Sequence, residues 1–340
     1  MSLASAIRDR DVAELPGKRD EAWRWTDLRG LIRTLPEPSQ TADSGDEGPF
    51  DALTDDRRAI VNGRGAGAIS VAPGETALVA LRFVSRGAGS HAEVVEISVG
   101  AEASLQLLES YESDGGSVSQ ASLNITLAKG AQLERIVLAQ DDADAVSVSL
   151  AGVTLSPGAT FHQTVIASGA RRQRLETQVL HPGGNAQLRL DGVYLLADKR
   201  HSDQTTVVTH AGTDGATVQL TKGVVRDQAR GVFQGRIVVE EGADRTDARM
   251  GHHALILSDR AEIDAKPELE IYADDVACAH GNTVGALDED ALFYARQRGM
   301  PEAEARALLT EAFIGEVVDR IGHDGARNVV RAWVADRLRG

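Results

Sequence analysis

Between about residue 71 and residue 285, apolar and polar positions alternate with a period of two, in short runs bounded by Gly, Asp or Asn. Leu105/Leu107, Leu123/Ile125/Leu127, Val146/Val148/Leu150, Leu188/Leu190, Val218/Leu220 and Leu269/Ile271 carry the alternation, and each run predicts a strand. The flanks read differently. Near the start, Trp23, Trp25, Leu28, Leu31, Ile32 and Leu35 fall near helical spacing, which Pro36 and Pro38 close. Residues 39–49, rich in Ser, Asp, Gly and Glu, read as a flexible connection. After Gly285 the pattern turns helical, with Leu287, Ala291, Tyr294 and Ala295 on one face and Gly299 as the stop. Pro301 opens a second helix, with Glu302 and Glu304 in the first turn, where the helix dipole favours acids. Its apolar stripe is Ala305, Leu308, Leu309, Ala312, Phe313 and Val317. Gly322 and Gly325 break the chain before a last helix marked by Val330, Trp333, Val334 and Leu338. The expected division is a helical region and linker at 1–70, a strand-built core at 71–285 and a helical region at 286–340.

A weak repeat lies over the strands. Glycines at 74, 100, 130, 158, 184, 215 and 242 are spaced by 26, 30, 28, 26, 31 and 27 residues, and five of them precede Ala. Glycine permits positive φ where the chain turns a corner into its next strand. A period of this size with two or more short strands per repeat suits the stacked coils of a β-solenoid, each burying its apolar face on its neighbours about 4.8 Å away. A β-sandwich with regular hairpins is the competing reading, but the hairpin pairs Asp191-Gly192 and Asp214-Gly215 are few. Helices after a solenoid either cap its open end or carry a partner-binding face.

Composition narrows the function. Apolar residues make up 42% of the 340 and aromatics 4%, so the core rests on Val, Leu, Ile and Ala. A net charge of −15 repels phosphate backbones and anionic lipid, which argues against nucleic-acid and membrane partners. Arg171, Arg172 and Arg174 are an exception, read as a solvated strand face. One cysteine makes no internal disulfide, and no long apolar segment or leader is evident, so a cytoplasmic protein is expected. Phosphate-loop, G-x-S-x-G and H-E-x-x-H motifs are lacking, which argues against an ATPase and the usual hydrolases.

Cys278 and His280 are one residue apart, so in a strand both face the same side, and thiolate with imidazole suits iron. Spacing alone favours packing roles for both, as free cysteines are often small core hydrophobes. His252 and His253 are adjacent, so in a strand they face opposite ways; packing roles are expected for them and for His162, His181, His201 and His210. Asp274 and Asp275 read as an exposed acidic corner, and Glu262, Asp264, Glu268 and Glu270 as solvent-facing strand positions.

Residues 267–299, PELEIYADDVACAHGNTVGALDEDALFYARQRG, carry Asp-Asp-Val, Cys-x-His-Gly, Thr-Val-Gly and a helix with Leu-Phe-Tyr. Together with GVFQGRIVVEEGADRTDARMGHHALILSDRAEIDAKPELEI (231–271), HSDQTTVVTH (201–210) and EAWRWTDL (21–28), this stretch resembles the SufB/SufD family of iron–sulfur cluster assembly proteins. The resemblance is strong over about 200–320, recognisable at 21–28 and diffuse between. The length and single cysteine favour the SufD branch.

The resemblance implies a mainly β fold, a right-handed parallel β-helix with helical regions at both ends. It implies a non-catalytic scaffold of the SUF system in the cytoplasm, pairing with a SufB-like paralogue through the last coils. A SufC-like ABC-type ATPase would bind the C-terminal helices, for which Leu292, Phe293, Tyr294, Leu308 and Phe313 are the candidates. The iron–sulfur cluster would be transient and shared with the partner, near His280 and Cys278; a reduced flavin is a further implication for some complexes. A single cysteine makes a complete four-thiolate site within one protomer impossible. The alternatives are a homodimeric iron–sulfur carrier and a carbohydrate-active β-helix enzyme, for which three Trp and four Tyr supply few sugar platforms.

Overall fold

A computed structural model describes residues 2–65 and 67–339. The strands form two sheets of ten and eight strands, and consecutive strands alternate between the sheets through most of the chain. Within each sheet the neighbours are parallel, apart from a short antiparallel pair at Ile60/Gly65. The architecture is a parallel β-solenoid. One coil is the strand Gln187–Leu196 in the larger sheet followed by His201–His210 in the smaller. Along the larger sheet, Gln132, Thr160, Gln187, Ala216 and Asp247 sit side by side, offsets of 28, 27, 29 and 31 residues.

The repeated glycines act where corners need them. Gly74, Gly130, Gly158, Gly184 and Gly242 hold positive φ. At the other two corners the left-handed position falls to Glu102 and Asp214, near Gly100 and Gly215.

Alternation sorts the strand residues into two layers. One set fills the interior between the sheets with Leu81, Leu105, Leu107, Leu123, Phe161 and Phe233 among its fully buried members. The other set points outward, and on the larger sheet it is also apolar, at Ala80, Leu108, Ile136, Ile166 and Val193. The C-terminal helices cover that stripe: α4 (Glu302–Val318) with Ile314 and Val317, and α5 (Asp324–Arg339) with Val330, Trp333 and Val334. They therefore pack along the flank of the solenoid rather than across its end. The N-terminal segment does the same on the smaller sheet, where Leu3, Ala6, Leu15 and Leu28 pack on Val118, Val146 and Val148.

That segment is less helical than its spacing suggests. It holds α1 (Leu3–Asp9), 3₁₀ turns at Val12–Glu14 and Glu21–Trp23, and the four-residue α2 (Leu28–Leu31). Its conformation is set by side chains of the smaller sheet. Arg174 donates to the Ala22 carbonyl (2.7 Å) and its guanidinium lies 4.4 Å from the centre of the Trp23 ring. Thr26 donates to Asp203 (2.5 Å), and the His201 ring meets the Trp25 carbonyl (3.0 Å). This corrects the expected solvated role of Arg174. It is buried and pairs with Asp203 (2.7 Å) and Glu176 (2.8 Å), because the N-terminal segment closes over it.

The interior is not wholly apolar. Glu109 and Arg135 form a buried bidentate pair at 2.6 and 2.8 Å. Tyr111 donates to the same carboxylate (2.5 Å), and Arg135 continues to Gln163 (2.7 Å) and from there to Thr177. Within this network the Tyr111, Arg135, Gln163 and Thr177 side chains each donate to an acceptor, as burial requires.

The last coil and its donor pair

The solenoid ends on the strands Glu262–Ile271 and Val276–Gly285, each the edge of its sheet. Each is ten residues long and pairs on one side only, with Arg230–Val239 and Thr246–Ile256 respectively. The other side offers unpaired backbone donors and acceptors, which proteins normally blunt with charge or proline. Glu262–Ile271 carries such protection in Glu262, Asp264, Lys266, Pro267, Glu268 and Glu270. Val276–Gly285 (VACAHGNTVG) carries no formally charged carboxylate, lysine or arginine.

Cys278 and His280 lie on this uncharged strand, beside Ala248 and Met250 of the preceding coil. Ala248 and Met250 belong to the interior, so both candidates occupy the inward row at the open mouth of the solenoid, and Cys278 packs against the core. Cys278 is half-buried and His280 exposed. Burial pushes the Cys278 thiol above its ordinary value, Asp247 adds to this, and a hydrogen bond with the Ala248 backbone opposes it. Capturing a metal there requires loss of that proton. The pair supplies two donors about 7 Å apart along the strand, short of the four an iron–sulfur iron takes. Among the described residues no three His, Cys, Asp or Glu side chains cluster to hold a metal.

The adjacent histidines do face opposite ways, and both tie down this strand. His252, buried, stacks on Phe233 with ring centres 4.6 Å apart. Its Nδ1 meets Asn282 Oδ1 (2.7 Å) and its Nε2 meets the Tyr194 hydroxyl (2.8 Å). With the Asn282 oxygen as acceptor, Nδ1 carries the proton and Nε2 accepts from Tyr194. Burial lowers the His252 pKa to about 4, which keeps the ring neutral. On the outer face, His253 Nδ1 meets Thr283 Oγ1 (2.7 Å). The Tyr194 ring in turn depends on glycine: a Cβ at Gly223, its neighbour in the sheet, would lie 2.0 Å from the ring. A relay from Gly223 through Tyr194 and His252 to Asn282 thus sets the last strand, two residues from His280. Sequence gave no sign of it, since Tyr194, Gly223 and Asn282 lie on three different strands.

The C-terminal candidates separate by exposure. Leu292 is buried and holds α3 (Glu289–Gln297) in place, whereas Phe293, Tyr294 and Leu308 are exposed. Phe313 is half-buried with the Lys222 ammonium 4.4 Å above its ring, and Lys222 also pairs with Glu316. The expectation of a flavin finds no support among the described residues. No helix among them is long and apolar enough to cross a membrane.

Residues 81–313 match the family described as SUF system FeS cluster assembly, SufBD core domain. The iron–sulfur cluster assembly protein SufD of Escherichia coli (strain K12) is 37% identical over 158 residues, 46% of this chain and 37% of that protein. The SufD of Bacillus subtilis (strain 168) is 35% identical over 123 residues, 36% of this chain and 28% of that protein. The chloroplastic protein ABCI7 of Arabidopsis thaliana is 31% identical over 171 residues, 49% of this chain and 36% of that protein. The aligned stretch spans well under half the length of each of these relatives. The family match covers more than half of this chain and runs through most of the solenoid into α4, and the chain therefore belongs to the SufBD family of SUF iron–sulfur cluster assembly proteins.

Proposed function

We propose that this chain is a non-catalytic scaffold subunit of a cytoplasmic SUF assembly complex, in which the iron–sulfur cluster is cargo. The observation that carries this reading is the open last coil. A ten-residue uncharged edge strand bears the thiol and imidazole, and their two donors need completion from outside. A SufB-like paralogue would add its own strands to the two free edges, main chain to main chain, and bring the missing ligands to the seam. Within that seam His280 would hold iron directly and Cys278 would support it. The exposed Phe293, Tyr294 and Leu308 on α3 and α4 would receive a SufC-like ATPase, with Phe313 at the margin. Family membership favours this scaffold reading over a carbohydrate-active one.

Co-expression with SufB-like and SufC-like proteins from the same source, followed by anaerobic purification of this chain, tests the proposal. The expected result is a stable complex with ATPase activity. His280→Ala should leave that complex intact and lower its cluster yield; an unchanged yield would remove His280 from the ligand set. Recovery of this chain alone, or paired with itself and carrying a cluster, would favour the homodimeric carrier instead.

A further inference from the structure

A second feature lies on the flank of the solenoid, between the larger sheet and the C-terminal helices. It is a cleft of about 760 Å³. Its floor includes Leu195 and Val224, side by side near the ends of their strands, and its walls are α4 at Ala303 and Ala307 and the last turn of α5 at Leu338. In a chain of net charge −15, five arginines line it (Arg200, Arg226, Arg306, Arg337 and Arg339) against one lining acid, Asp198.

Three of these arginines have acidic partners outside the lining. Arg306 bonds Glu302 (3.0 Å), Arg339 pairs with Asp336, and Arg226 lies 3.8 Å from Asp227. Arg200 and Arg337 form no ion pair among the described residues. Arg200 spends one terminal nitrogen on the carbonyls of Asp141 (2.8 Å) and Gly169 (2.7 Å), which fixes its place, and the buried Asp141 carboxylate offsets part of its charge through space without forming an ion pair. Arg337 lies 4.0 Å over the Trp333 ring and makes no hydrogen bond or ion pair among the described residues. Burial, then the Arg200 charge, lowers the Arg337 pKa, while Asp336 works the other way. Two like charges held together at a half-buried site oppose each other unless an anion comes between them.

We infer that this cleft binds an organic phosphate, with Arg200 and Arg337 taking the phosphate oxygens and Leu195, Val224, Leu257 and Leu338 receiving an apolar body. Planar guanidinium groups match phosphate geometry and stay charged when partly buried. The volume lies within the range of small-molecule sites, roughly 300–1,000 Å³. A bare inorganic anion would leave the apolar floor unfilled. The cleft is on the flank and the proposed seam is at the open end, so occupancy and partner pairing can be measured separately.

Trinitrophenyl-ATP, whose fluorescence rises in a sheltered site, is the probe, titrated into the full chain and displaced with ATP or inorganic pyrophosphate. Saturable binding is expected, weakened by salt, with ATP displacing the probe better than pyrophosphate. Arg337→Gln should weaken binding by about tenfold, the loss of one charge-assisted contact. Ala307→Glu, which adds an acid to the α4 wall, should weaken it similarly. Arg249→Gln, at an exposed pair with Asp247, should bind as the unaltered chain does. Melting curves establish that each variant is folded, and Ala307→Glu decides the matter if Arg337→Gln is not. The inference fails if no saturable signal develops by about 1 mM probe, or if both cleft variants bind as the unaltered chain does. Equal displacement by pyrophosphate and ATP would overturn the apolar part of the site.

Discussion

At the scale of single residues, burial decides what each polar group does. Glu109 and Arg135 are both nearly inaccessible, so each is the other's main compensation for lost water. Glu109→Leu leaves a buried guanidinium without its counter-charge and should cost about 3–5 kcal/mol in urea unfolding. The double variant Glu109→Leu/Arg135→Leu should recover part of that loss, because it leaves no charge behind. His252 gives a pH signature. Its folded pKa is about 4, while an unfolded histidine titrates near 6.5. The unfolded state therefore binds the extra proton between these values, and the stability His252 contributes, intact above pH ~6.5, falls as the pH drops toward about 4. His252→Asn should show a flatter stability-versus-pH curve in this window; parallel curves would refute a neutral buried ring. Of these features, strand alternation and the opposite facing of His252 and His253 were legible in the sequence. The burial of Arg174 was not, because it depends on a segment about 150 residues earlier in the chain folding over it.

At the scale of elements, the outward stripe on the larger sheet explains where the helices go. Ile314 is fully buried between α4 and that stripe. Ile314→Ala should cost about 2–5 kcal/mol and expose α4 to limited proteolysis before the solenoid. Gly223→Ala should be damaging for a different reason. The added methyl would drive the Tyr194 ring out of its place and loosen His252 and Asn282. Amide exchange should then rise in Val276–Gly285, at some distance from the substitution. Helix positions after residue 285 were readable from periodicity and from Pro301, but the packing face was only partly so. Leu292 and Tyr294 both carry apolar surface, and the fold buries the first while leaving the second in solvent.

At the scale of the whole molecule, the open last coil is the feature with the largest consequence. An uncharged edge strand invites association, so the isolated chain should self-associate with rising concentration in light scattering after gel filtration. Ala277→Lys/Ala279→Lys places charge on two exposed positions of that strand. It should suppress both self-association and pairing with a SufB-like partner, with little change in melting temperature. The sequence by itself determined the two-residue alternation, the coil period, the helical C-terminal region and the motif around Cys278, because each rests on local patterning of neighbouring residues. Only the tertiary structure decided which end stays open, which arginines are buried or face one another, and which histidine anchors the last strand. Those outcomes depend on residues from separate coils meeting in space, and a solenoid brings together positions some thirty residues apart that no local pattern connects.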